Sequence, residues 1–349
     1  MNKMNAVVLR APGDYEYTQV EKAKCDEAGI LVQVKAVGLC GSDLRTLKSG
    51  HKHVKLPAII GHEVAGTVVE TGKEYRGEFA VGDDIAVAPV VYCGKCDFCK
   101  AGNFQFCENI RELAQHWPGG FAEYMAIPPE SLRLGTLQHI PQGMEYAHAG
   151  ISEPPSSCVH AQERLDIGIE DVVVIIGAGP VGCMHVCIAK ARGARKVFIA
   201  DVNANRLQLA SVFEPDELID TSQTNLVEEV MRLTDGKGAQ VVITANPVGI
   251  TQVQAVEIAA KAGRIALFGG LPHGDSKPGL DTNMIHYRGL SVIGTSTFTP
   301  RHNAIALDLI QRGKIPAEKL ITHRLSLSEF QEGVRLAVEG EALKVVFEI

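Results

Sequence analysis

Four cysteines, Cys93, Cys96, Cys99 and Cys107, crowd the stretch YCGKCDFCKAGNFQFC with the spacing C-x2-C-x2-C-x7-C. Clustered thiolates bind soft metal ions, and four of them complete a tetrahedral zinc shell with no open position. Such a site braces a loop but neither binds substrate nor activates water. Gly94, Lys95, Lys100, Gly102 and Asn103, set between the cysteines, are turn-forming, solvated types that need bracing of that kind. An iron–sulfur cluster is the rival occupant. Zinc is favoured because no second redox partner is evident, and four free surface thiols fit the spacing poorly.

A second motif is Gly177-Ala178-Gly179-Pro180-Val181-Gly182, placed directly after VVVII and before a helical stretch. The bare pattern is weak, but this context suits a dinucleotide turn, in which backbone N–H groups meet a pyrophosphate at a helix N-terminus. Asp201 follows KVFIA, 19 residues beyond Gly182. A carboxylate there accepts hydrogen bonds from the adenosine ribose and repels a 2′-phosphate, so NAD is expected over NADP. Arg206 lies close enough in sequence to reach the same ribose and would soften that preference.

A third set is scattered. Cys40 stands in GLCGSD with Ser42 and Asp43, His62 and Glu63 stand in GHE, and Glu153 stands in SEPPSS. Taken singly these are weak signals, since an isolated cysteine is most often a small buried hydrophobe. A metal site built from them has to be assembled from distant segments.

The positioning elements follow from hydrophobic period. Over the first 150 or so residues, AVVL, ILVQVKAVG, EVAGTVVETG, DDIAVAPVV and GFAEYMAI read as short strands broken by Gly and Pro, as in a small irregular antiparallel barrel. From Gly168 strand and helix alternate, with six strands ending at LSVIG and a helix expected near Thr251–Lys261. Continuous apolar runs predict an α/β unit, a doubly wound parallel sheet covered on both faces. The expected domains are 1–153, 154–296 and a segment 297–349 that returns to the first.

Composition narrows the function. A formal charge of −7 argues against broad nucleic-acid or acidic-membrane binding. No run approaches the roughly 18 apolar residues of a membrane span. The start, MNKMNAVVLRAPGDYEY, meets charge and Pro-Gly too early for a signal peptide. A cytoplasmic protein is expected, in which clustered cysteines hold metal in preference to disulfides.

Taken in order, GLCGSD, GHE, the cysteine lobe, GGFAEY, SEPPSS and GAGPVG resemble the zinc-dependent medium-chain alcohol dehydrogenase family, most closely its sorbitol (L-iditol) and polyol dehydrogenase branch, across essentially the whole chain. The resemblance implies a GroES-like β-barrel catalytic domain beside a six-stranded Rossmann domain, with the active cleft between them. It implies catalytic-zinc ligands at Cys40 and His62, with Glu63 in or beside the shell. Glu153 stands where liver-type enzymes carry a second cysteine, and in the polyol branch binds the metal directly or through its water. Asp43 matches the carboxylate that orients the ligand histidine, Ser42 the start of a proton relay, and the cysteine lobe a structural zinc. A homodimer or homotetramer is implied.

The implied reaction is oxidation of a secondary alcohol in a polyol, sugar alcohol or cyclitol to a ketone. A Lewis-acidic ion lowers the pKa of a bound alcohol, and hydride leaves an alkoxide more readily. Two departures stand out: Arg45 replaces a relay histidine of many relatives, and Thr295-Ser296-Thr297-Phe298 stands where sorbitol enzymes often carry a substrate-facing arginine. A threonine-dehydrogenase-like amino-alcohol oxidoreductase and a non-catalytic nucleotide-binding relative are the alternatives.

Overall fold

The computed structural model describes residues 3–134, 137–272, 274 and 276–349. The chain divides into two units, Met1–Ser156 with Thr297–Ile349, and Ser157–Ser296.

In the first unit the central strand is Ile30–Gly38, ILVQVKAVG, with Gln33 and Lys35 the half-buried positions and the rest buried. It pairs antiparallel with Glu63–Thr71, Gly38 opposite Glu63. On its other side lies Lys344–Glu348, also antiparallel, Val346 opposite Gly38. The sheet runs Ile321–Ser326, Lys344–Glu348, Ile30–Gly38, Glu63–Thr71, Asp84–Val87, Leu137–His139, and Tyr124–Ile127 adds to the central strand. The segment after Thr297 is therefore part of the first unit's sheet. Its Phe330 and Phe347 pack with Phe121, ring centroids 4.8 Å apart for Phe121–Phe330 and 5.0 Å for Phe330–Phe347. Lys3–Ala11 forms a hairpin with Asp14–Glu21, which the sequence reading does not anticipate. DYEYTQVE has little apolar content to mark it.

The second unit is a six-stranded parallel sheet in the order Glu217–Asp220, Lys196–Asp201, Val172–Ile176, Ala239–Thr244, Ala259–Leu267, Ser291–Gly294. Val172–Ile176 is buried throughout, as a central strand covered on both faces must be. One expectation needs correction: the helix is Gly249–Ile258, and Ala259–Leu267 is strand, so Lys261 is not helical. Ala259-Ala-Lys-Ala favours helix locally, but pairing with Ala239–Thr244 overrides it, through a register shift and a left-handed Ala262 at φ 58°. Among the described residues no helix is long and apolar enough to cross a membrane.

Candidate metal centre and nucleotide turn

Strand Ile30–Gly38 delivers Cys40 to one end of the sheet. Glu63–Thr71 begins at that same end, so His62 and Glu63 arrive beside it. One donor atom from each of Cys40, His62 and Glu63 lies within 4.8 Å of the others. Cys40 is also the N-cap of helix Gly41–Ser49, whose Asp43 accepts a hydrogen bond from the Cys40 N–H at 3.0 Å. The other Asp43 oxygen is 3.2 Å from His62 Nδ1. With Nδ1 held by Asp43, Nε2 is the nitrogen an ion would take from the ring. Ser42 Oγ stands 3.4 Å from Nε2. Burial disfavours a charged His62, but Asp43 and Cys40 outweigh it and hold its pKa well above the ordinary value. The cluster stabilises positive charge.

Glu63 is fully buried. Its Oε1 accepts a hydrogen bond from Lys344 Nζ at 2.6 Å, and the same ammonium donates to Leu39 O at 3.1 Å. Oε2 is 2.5 Å from the same Nζ, so one ammonium faces both carboxylate oxygens. A side chain at Gly38 would overlap this carboxylate, so the glycine makes its room. Burial opposes charge on Lys344, yet Glu63 and Cys40 raise its pKa above normal. Sulfur, imidazole and carboxylate donors within 4.8 Å of one another fit a divalent ion of zinc's borderline character.

Glu153 opens helix Glu153–Arg164 and is not in that mutual set of three. It is nevertheless within electrostatic range. Burial lifts its carboxyl pKa to about 7, with His62 pulling it down and Glu63 and Glu112 pushing it up. Arg45 is exposed.

The four lobe sulfurs also lie within 4.8 Å of one another, Cys93 and Cys99 at 4.0 Å. A tetrahedral ion with bonds of about 2.3 Å sets sulfurs roughly 3.8 Å apart. An iron–sulfur cluster would push them further apart around its inorganic core. A single ion fits. The Cys93 N–H points at Cys107 Sγ (3.3 Å) and the Cys96 N–H at Cys93 Sγ (3.4 Å), the donors that thiolates need. Backbone N–H groups accordingly lower the Cys93 pKa to about 6, whereas burial raises Cys99 to about 12. Tyr92, Phe104 and Phe298 pack around the lobe.

In the second unit Gly177 has φ 118° and its N–H bonds Ala200 O at 2.7 Å. Gly182 meets the Gly177 carbonyl so closely that no side chain fits. Helix Pro180–Ala191 starts after Gly179 with Pro180 at its first turn and no side-chain cap. The N–H groups around Val181 and Gly182 therefore face an open N-terminus, which favours an anion. Asp201 is fixed by its neighbours, Oδ2 accepting from Ala178 N–H (2.7 Å) and Oδ1 from Asn203 N–H (2.9 Å). Arg206 sits in the following helix, Ala204–Ala210.

Sequence reasoning missed Lys344. Its only local signal is a lysine at the head of the apolar run KVVFEI; nothing nearby announces a buried partner for Glu63.

Comparison with known proteins agrees with this geometry. Residues 26–135 match the alcohol dehydrogenase GroES-like domain, and residues 180–312 match the zinc-binding dehydrogenase family. The chain is 32% identical over 322 residues to a sorbitol dehydrogenase of Halalkalibacterium halodurans, covering 91% of this chain and 90% of that one. It is 30% identical to a D-arabitol-phosphate dehydrogenase of Enterococcus avium, covering 99% and 97%. A crystal structure described as a zinc-binding dehydrogenase of Sinorhizobium meliloti, bound to NADP, superposes with a TM-score of 0.92 at 30% identity over the full length of both chains. With a GroES-like unit, a Rossmann sheet and matches at this level over nearly every residue, the chain belongs to the zinc-dependent medium-chain dehydrogenase family of alcohol and polyol dehydrogenases.

Proposed function

We propose that the chain is an NAD-dependent dehydrogenase with one catalytic and one structural zinc, oxidising a secondary hydroxyl of a polyol, sugar alcohol or cyclitol to a ketone. The observation that carries this reading is the convergence of half-buried Cys40 and His62 on buried Glu63, with Ser42 beside the histidine. Cys40, His62 and Glu63 would hold the catalytic ion, with Glu153 within electrostatic range of His62 and Glu63. Bound zinc supplies Lewis acidity toward an alcohol oxygen.

The protein's own groups do the rest. Asp43 fixes the orientation of His62. Ser42 is placed to take the hydroxyl proton as the first step of a relay. Lys344 holds Glu63 in place. The Gly177–Gly182 turn receives the pyrophosphate, and Asp201 meets the adenosine ribose, which supports NAD as the preferred cofactor. Cys93, Cys96, Cys99 and Cys107 would close around the structural ion, whose role is bracing.

The test is an NADH-absorbance panel of polyols, cyclitols, polyol phosphates and L-threonine with NAD and NADP, together with metal analysis. A secondary alcohol turned over with NAD, and two zincs per chain, are expected. L-Threonine outrunning every polyol would replace this reading with an amino-alcohol oxidoreductase, and one zinc or none with no turnover would remove it.

A further inference from the structure

The first unit contains a recess of about 490 Å³ that the roles above leave unused. One wall is Lys55–Ile59 and the other is Ala114–Pro118, with His53 and Arg111 at the edge. Its cationic and imidazole side chains can donate, and Gln115 adds an amide whose NH2 is turned to Glu112. The ring of His116 stacks on His53 with centroids 5.0 Å apart, and His51 stands 5.6 Å beyond. His116 Nδ1 accepts the Glu112 N–H at 3.1 Å. The neutral ring is thereby held in the tautomer whose Nε2 carries the proton, so it presents a hydrogen-bond donor even without a charge. Arg111 lies over the ring of Trp117 at 4.5 Å.

The carboxylates near this recess are already engaged. Glu130 is 3.4 Å from Arg111, and Glu112 accepts from the Gln115 amide. Lys55 is exposed, and among the described residues no carboxylate pairs with it. A free ammonium, a fixed imidazole N–H and a guanidinium around one concavity recognise a compact dianion.

The recess is also close to the metal cluster. Ile59 precedes His62 by three residues, about 10 Å at full extension. The two walls join just there, Gly119 N–H bonding Ile59 O and Gly120 N–H bonding Gly61 O, both at 2.8 Å. Glu112 acts electrostatically on His51 at one end and on Glu153 at the other.

We propose that this recess is a phosphate-monoester subsite, so that the alcohol oxidised is a phosphorylated polyol whose phosphate meets Lys55, His116 and Arg111 while its carbinol reaches the ion at Cys40, His62 and Glu63. The inference rests on the dehydrogenase reading above and narrows its substrate class. A relative named for arabitol phosphate is consistent with it.

Trp117 is the sole tryptophan of the chain and lines the recess, so intrinsic fluorescence reports on occupancy. The zinc-loaded protein is titrated with D-arabitol, D-arabitol phosphate and inorganic phosphate, and kcat and KM are measured for the two alcohols in wild type, Lys55→Ala and Lys55→Arg. The phosphorylated alcohol should change the fluorescence saturably and be the better substrate. In Lys55→Ala the ratio of kcat/KM for phosphate ester over parent polyol should fall roughly tenfold or more, through KM, because a charge-assisted contact is lost. Lys55→Arg should restore most of it. A merely structural role would lower both substrates alike and leave that ratio unmoved, which would overturn the proposal. So would equal wild-type use of both alcohols, or a response to inorganic phosphate without preference for the ester. If no alcohol is oxidised, the dehydrogenase reading fails on its own, and a fluorescence trace flat to both phosphates would then separately dispose of the recess.

Discussion

The cysteine lobe and the Cys40–His62–Glu63 cluster occupy the same unit and are made on opposite plans. The lobe takes all its donors from residues 93–107, four identical soft ligands whose neighbours supply N–H groups to the sulfurs. The cluster mixes sulfur, nitrogen and oxygen from the ends of two strands, and its third donor is gripped by a lysine from another strand 281 positions away. A closed, uniform shell has no free face for chemistry. A mixed set of three has one. Under the proposed roles, position within the fold, more than ligand chemistry alone, would separate bracing from catalysis.

The sharpest way to break the contrast is to remove one sulfur from each. Cys40→Ala should cut turnover by about a thousandfold or more, roughly 4 kcal/mol of barrier, with little change in thermal midpoint. Cys96→Ala should lower the midpoint and release one zinc, activity falling only as folded protein is lost. Parallel assays of activity, melting and zinc content decide; matching profiles would erase the distinction. Next, Lys344→Met should destabilise the metal-free protein by about 3–5 kcal/mol, because Glu63 is left charged and unpaired in the interior. Denaturant unfolding should show zinc restoring part of that loss, as an ion at the cluster would supply the missing positive charge. Among the described residues the lobe has no counterpart of this clamp. Finally, Asp43→Asn should weaken one zinc by 10–100-fold, about 1.4–2.7 kcal/mol, and leave the other untouched. A chelator titration with two resolved steps measures it.

Legibility in the sequence follows the same divide. The lobe and the glycine turn are written in local spacing, and period-2 and continuous apolar runs announced the six parallel strands. His62 and Glu63 drew attention only alongside Cys40 and a family resemblance, since what unites them is the register that sets Gly38 against Glu63. Lys344 was invisible because its meaning lies in a strand pairing between residues about three hundred apart. The Gly249–Ile258 helix was overrun at its end because alanine and lysine carry helix propensity that the sheet overrules. The donors lining the recess belong to no local motif: His53 and His116 gain their order from one another's rings and from a backbone N–H.

Strand Lys344–Glu348 has one more bearing, on the order of assembly. It is translated after the whole of Ser157–Ser296, a unit able to complete its own sheet. Until it emerges, the edge of Ile30–Gly38 lacks a neighbour and the Glu63 carboxylate lacks its counter-ion. A nascent chain thus carries a finished nucleotide unit and an unfinished metal unit, whose sheet and ion pair close only when the last strand has been made.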